Sequence, residues 1–291
     1  MTTLENNFSL TENPVKKLWG RIPVLVRAIF IGFIVNTIGT MSWPLFATFL
    51  PIPYAILTLA IFLVVYWKFF SGRWGPKASA RERAANFRRT RLARPVWKWS
   101  LAAALLFVIV FQSGMMLTFR FVEFPAASFT QGNAFDALPI GLAAIAIFIS
   151  AAVAGICEEV GFRGYMQAPL EKKYGPKIAI LVVSIIFVLI HLHQAWLPPL
   201  RLHVFLGSVM FGMLTIASNS LVPAMIAHTL ADVFNFAYWW SDVLGKYNQP
   251  LLSQSGIDAH FGLWITIFLL STAAFLVAVK KTKMARLQTT A

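Results

Sequence analysis

Eight apolar runs of about 20 residues dominate the chain, near 22–42, 46–67, 96–117, 138–157, 178–197, 201–217, 221–240 and 261–279. That length matches the ~30 Å of hydrocarbon a helix must cross in a bilayer. Backbone inside lipid has no water to bond, so runs of this kind are satisfied as helices. The 291 residues are 58% hydrophobic and 12% charged, with a mean hydropathy of +0.70. An ordinary soluble domain carries about 25% charged residues and cannot hide this much apolar surface. Soluble and disordered chains are excluded. An all-α polytopic membrane protein with about eight transmembrane helices is expected.

Twenty-five Lys and Arg against 11 Asp and Glu give +14, a balance that elsewhere would suggest nucleic acid. The positions argue otherwise. With the N-terminus cytoplasmic, 21 basic residues fall in inner segments: Lys16, Lys17 and Arg21, ten from Lys68 to Lys98, Arg163 with Lys172, Lys173 and Lys177, and Lys280, Lys281, Lys283 and Arg286. Outside fall Arg120, Arg201 and Lys246, and Arg27 lies within the first run. This is the positive-inside bias, and no nucleic-acid partner is expected. Both termini are expected to be cytoplasmic, with tails 1–21 and 281–291 flanking one membrane domain, 22–280. The polar N-terminal stretch and the last few residues read as mobile. The first run is too long for a signal-peptide core and lacks a small-residue cleavage site, so it is expected to be retained. The Arg-rich stretch 81–91 reads as a solvated inner loop or as an amphipathic helix on lipid; anionic lipid near 71–95 and the bilayer itself are the expected lipid partners. Cys157 is the sole cysteine and reads as a small packed residue. Pro51 and Pro53 are expected to break the second span, and Pro198-Pro199 to end the fifth.

Ionisable side chains within spans default to function. Here they are few. Glu158 and Glu159 close the fourth run and Arg163 follows; His191 and His193 lie in the fifth, His228 and Asp232 in the seventh. Glu159 and Arg163 are four apart, on one helical face in the favourable order, while Glu158 projects about 100° away and suits a general base. His228, Asp232 and Asn235 share a face, so the carboxylate can orient the imidazole. His191 follows Phe187 by four, which sets the ring against an aromatic wall; His193 points to another side. His203 and His260 read as surface histidines near outer loops. Counted from the inner ends at ~1.5 Å per residue, Glu158 sits near ~0 Å, His228 near ~10 Å and His191 near ~20 Å. A shared site needs those boundaries to move, for example to starts at Gly141 and near Leu181.

Glu158-Glu-Val-Gly-Phe-Arg163-Gly, Phe187-Val-Leu-Ile-His191 and His228-Thr-Leu-Ala-Asp232, with Phe205-Leu-Gly207, Ser208 and Phe211-Gly212 between the last two, stand in order across roughly 140–240. This set resembles the CAAX-protease and bacteriocin-processing (CPBP, or Abi) family, relatives of the type II CAAX prenyl endopeptidase. The resemblance implies a protease-like core at about 138–240 and an intramembrane endopeptidase acting on membrane-associated protein or peptide substrates. It implies Glu158, His191, His228 and Asp232 as catalytic residues: Glu158 with His191 would activate a water, and His228 with residue 232 would stabilise the oxyanion. Glu159, Arg163, Phe187 and Asn235 would support them. The last motif of the family is HxxxN or HxxxD, and Asp232 departs from the prenyl-protease form, where an amide is typical, so it is protonated, orients His228, or ligates a metal. The family is often called metalloprotease, though a metal-free glutamate mechanism is also proposed. Either no cofactor is needed, or one divalent metal, zinc first, would sit on Glu158, His191, His228 and Asp232. A bacterial plasma membrane is the expected setting. Two alternatives stand beside the peptidase: a proton-coupled transporter using the same histidines, and a catalytically silent scaffold of the same fold.

Overall fold

Proline placement sets the helix boundaries. The structure is a computed structural model, and it describes residues 14–124, 138–192, 198–241, 247 and 249–290. Among these, α1 is Pro14–Arg21, α2 Val24–Thr40, α3 Ser42–Phe49, α4 Ile52–Phe70, α5 Lys77–Asn86 and α6 Arg94–Phe121. Next come α7 Ile140–Glu159, a π-helical segment Val160–Met166, α8 Gln167–Tyr174, α9 Pro176–Ile190, α10 Pro198–Ser218, α11 Val222–Ser241, α12 Leu252–Ser255 and α13 Ala259–Thr290. No strand occurs among the described residues. The protein is an all-α, multi-pass integral membrane protein. Six helical stretches among those residues are long and apolar enough to cross a bilayer. The remaining two expected runs are α9, which is apolar but only 15 residues, and α11, which carries the polar site residues.

Several boundaries differ from those expected. Pro51 precedes α4, Pro53 sits in its first turn, and Pro198 opens α10, so these prolines start helices rather than break or end them. A proline needs no N–H partner in a first turn. The first span therefore runs on through α3 to Phe49, kinked at Met41. The fourth does not close at Glu159: the π segment and α8 carry it to Tyr174. Residues 281–290 extend α13, where Arg286 donates to the Ile216 carbonyl (3.1 Å) instead of lying in a mobile tail.

Close packing of small residues draws the helices together. A Cβ on Gly155 of α7 would run into Thr229 of α11, and one on Gly161 would meet Asn36 and the Gly32 carbonyl of α2. Cys157 is fully buried, packed where Gly39 leaves room beside Tyr66. A second buried cluster centred on Phe107, Phe211 and Phe275 joins α6, α10, α11 and α13. At one end of the molecule, Arg88 pairs with Glu171 (2.5 Å), and Thr90 donates to the Asn219 carbonyl (2.7 Å). These contacts tie α5 and its following loop to α8 and to the α10–α11 turn.

Candidate active site

Two hairpins supply the site. In the first, the Gly175 turn (φ +82°) joins α8 to α9, so residues equidistant from it lie level. Glu158 is 17 residues before the turn and His191 16 after it. The continuation of the fourth span past Glu159, not the shifted starts expected at Gly141 and Leu181, resolves the mismatch in depth. The second hairpin turns at Asn219 (φ +54°), and Leu221 beside that turn packs near Gly164. Its turn is thus set in from Gly175, which is why His228 reaches the site only six residues into α11.

The side chains meet around one carboxylate oxygen. Glu158 Oε2 lies 3.6 Å from His191 Nε2 and 3.9 Å from His228 Nε2, and His228 Nε2 lies 3.6 Å from Asp232 Oδ2. His191 donates through Nδ1 to the Phe187 carbonyl (2.7 Å) and stacks on the Phe187 ring (centroids 4.3 Å apart). A carbonyl only accepts, so Nδ1 carries a proton and Nε2 is the ring nitrogen turned toward Glu158. His191 itself caps the end of α9 rather than lying within the span. His228 donates through Nδ1 to Glu159 Oε1 (2.9 Å), and Phe211 stacks on its other side (4.6 Å).

Glu159 and Arg163 form the expected pair, Oε1 to Nη1 2.9 Å, with both side chains fully buried. Arg163 Nη2 donates to Ser208 Oγ (2.8 Å), and the guanidinium stands over the Phe187 and Phe211 rings. A widened π turn, a frequent mark of functional sites, carries this arginine. Arg163 is accordingly a core residue, not an inner-loop charge. The link from Glu159 to His228 was not anticipated from the sequence, because it joins residues 69 apart. Asn235 lies further along α11, where its Oδ1 accepts from Tyr247 (2.8 Å). His193 falls outside the described residues.

Of the two histidines read as surface residues, His203 is packed inward and His260 is half-buried at the start of α13. The His203 ring packs on Phe111 (4.2 Å) with its Nε2 buried. His260 joins a clasp at the opposite end from Arg88. There Arg120, 1% exposed, donates to Asp258 Oδ1 (2.9 Å) and Oδ2 (2.7 Å), Ser255 Oγ (2.6 Å) and the Pro250 carbonyl (2.8 Å), and its Nη1 lies 3.1 Å from His260 Nδ1. Hydrogen bonds from Arg120 hold the Asp258 carboxyl well below the usual carboxylate range.

Ligands of a tetrahedral zinc ion, at ~2.0–2.2 Å from it, stand about 3.3–3.6 Å from one another. The spacings here are 3.6–3.9 Å. Among the described residues, no group of three or more His, Cys, Asp or Glu is arranged to hold a metal ion. The residue types suit zinc, their spacing lies at or beyond the upper end of that range, and no step below runs through a metal. One water molecule can touch both Glu158 Oε2 and His191 Nε2 across 3.6 Å.

Residues 139–234, a third of the chain, match the family model described as Type II CAAX prenyl endopeptidase Rce1-like. The match takes in Glu158, Glu159, Arg163, Phe187, His191, His228 and Asp232 and ends just before Asn235. No curated protein and no solved structure matches the chain.

Proposed function

We propose, from the match of residues 139–234 to the Type II CAAX prenyl endopeptidase Rce1-like family model, that this protein is a CPBP-type intramembrane protease that hydrolyses peptide bonds of membrane-associated protein or peptide substrates with a water activated by Glu158 and His191. The observation that carries this is the approach of Glu158 Oε2 to both His191 Nε2 and His228 Nε2, at 3.6 and 3.9 Å. Glu158 takes the proton of the water as its oxygen adds to the carbonyl carbon. His191, fixed by Phe187, orients that water, and His228 faces the tetrahedral centre. Glu159 and Arg163 hold His228 in one tautomer. The chemistry is metal-free.

The setting is a bacterial plasma membrane with both termini cytoplasmic. Arg73, Lys77, Arg81, Arg89, Arg91, Arg94 and Lys98 are exposed at the inner end beside the exposed Trp74 and Trp97. Basic side chains interleaved with tryptophan suit anionic headgroups, so anionic lipid is the partner of this surface.

The test is proteolysis of a membrane-peptide library by the protein in vesicles, with and without a chelator. Cleavage that persists in chelator supports the reading, and loss that zinc restores rejects its metal-free part. No cleavage under any condition, with the protein folded, favours the silent scaffold.

A further inference from the structure

We propose that His228 is the proton donor to the leaving amine of the scissile bond, and that Asp232 is the positioning residue that makes it one; this rests on the peptidase reading above. An amide at this position, as in the prenyl-protease form, would donate a hydrogen bond to an oxyanion, which an ionised carboxylate cannot do. The geometry around His228 gives the carboxylate a different task. Nδ1 is committed to Glu159, whose Oε1 also accepts from Arg163, so the proton there stays. Nε2 faces Asp232 Oδ2 at 3.6 Å and Glu158 Oε2 at 3.9 Å. A bare lone pair between two carboxylate oxygens is repelled by both, whereas an N–H is attracted. The charged and titratable groups facing the ring are Glu158 and Glu159 from α7, Arg163 from the π segment, Asp232 from its own helix and, across Glu158, His191 of α9. Phe211 covers one ring face.

The steps balance. Water gives one proton to Glu158 while its oxygen bonds to the carbonyl carbon and the C=O pair moves onto oxygen. The C=O bond re-forms, the C–N bond breaks, and the nitrogen takes the proton of His228 Nε2. Glu158 has gained one proton and His228 has lost one. The two atoms face each other, so a return transfer restores both.

The discriminating substrate pair is one membrane peptide made with an amide or an activated ester at the scissile bond. An ester's alkoxide leaves without a proton, and an amine does not. For the full-length protein in vesicles, Asp232→Asn should lower amide cleavage by ~10²–10⁴, as for loss of a general acid, with ester cleavage falling less than about tenfold. Asp232→Glu should recover much of the amide rate. Equal losses on amide and ester in an Asp232→Asn protein that unfolds like wild type would overturn the proposal, leaving His228 to oxyanion binding alone. Should asparagine prevent folding, wild type decides with a series of amide leaving groups. A rate nearly independent of leaving-amine basicity supports a supplied proton, and a steep dependence contradicts it. Absence of cleavage of either substrate by the folded wild-type protein would instead sink the peptidase reading.

Discussion

Glu159 accepts from His228 and Arg163 through the same oxygen, and both carboxylate and guanidinium are fully buried. Neutralising it leaves Arg163 in a low-dielectric core with no balancing charge on that partner, and removing one member of a buried pair typically costs about 3–5 kcal/mol. Glu159→Gln should therefore lower the unfolding temperature in detergent and reduce turnover together, because His228 loses the partner that fixes its tautomer. Glu158→Gln should reduce turnover with little change in unfolding. A Glu159→Gln protein of wild-type stability would contradict the pairing. Rare ionisable groups in apolar runs pointed to Glu158, His191, His228 and Asp232 as candidates. The choice of His191 over His193 came from the family resemblance, and the depth count from the sequence argued against one shared site. The Glu159–His228 bond was not legible in the sequence, since helical spacing pairs only residues three or four apart.

At the level of elements, apolar periodicity gave the helices, but the ends depended on what proline does in a first turn. Pro51 and Pro198 read equally well as stops and as starts, and misplaced ends made Glu158, His191 and His228 look ~20 Å apart in depth. Histidine burial was equally hidden. His203 lies near a helix end, yet Phe111 of α6 packs against its ring, while His260 is half-buried beside Arg120. The approach of α7 to α11 rests on Gly155, where an added methyl would meet the Thr229 backbone and hydroxyl. Gly155→Ala should push α11 outward, lengthen the Glu159–His228 contact and cut cleavage at least tenfold, a loss measurable in vesicles. Unchanged cleavage in Gly155→Ala would mean that the two helices are not held at that distance. The Arg120–Asp258 clasp makes a prediction about pH. Its carboxyl is held below the ordinary pKa of about 3.9, so its stabilisation is present above that value and fades as pH falls toward the folded one. The gap in unfolding temperature between wild type and Asp258→Asn should shrink below about pH 4. A gap constant across that range would show that the pair adds no ionic stabilisation.

Across the whole molecule, the contacts Arg88–Glu171, Thr90–Asn219 and Arg286–Ile216 gather the basic segments at one end, while the Arg120 clasp marks the other. Moving Arg163 from loop to core leaves the charge asymmetry intact. Reporter fusions at residue 85 and at the C-terminus should both read cytoplasmic, and an external signal from either would reverse the topology. The active-site account depends most on one carboxylate. Glu158→Gln keeps the side chain's shape and hydrogen-bonding capacity but cannot take a proton. In vesicles carrying a cleavable membrane peptide, the account predicts a fall in cleavage of ~10²–10⁴ for Glu158→Gln with unfolding unchanged. Cleavage within a few-fold of wild type would contradict it.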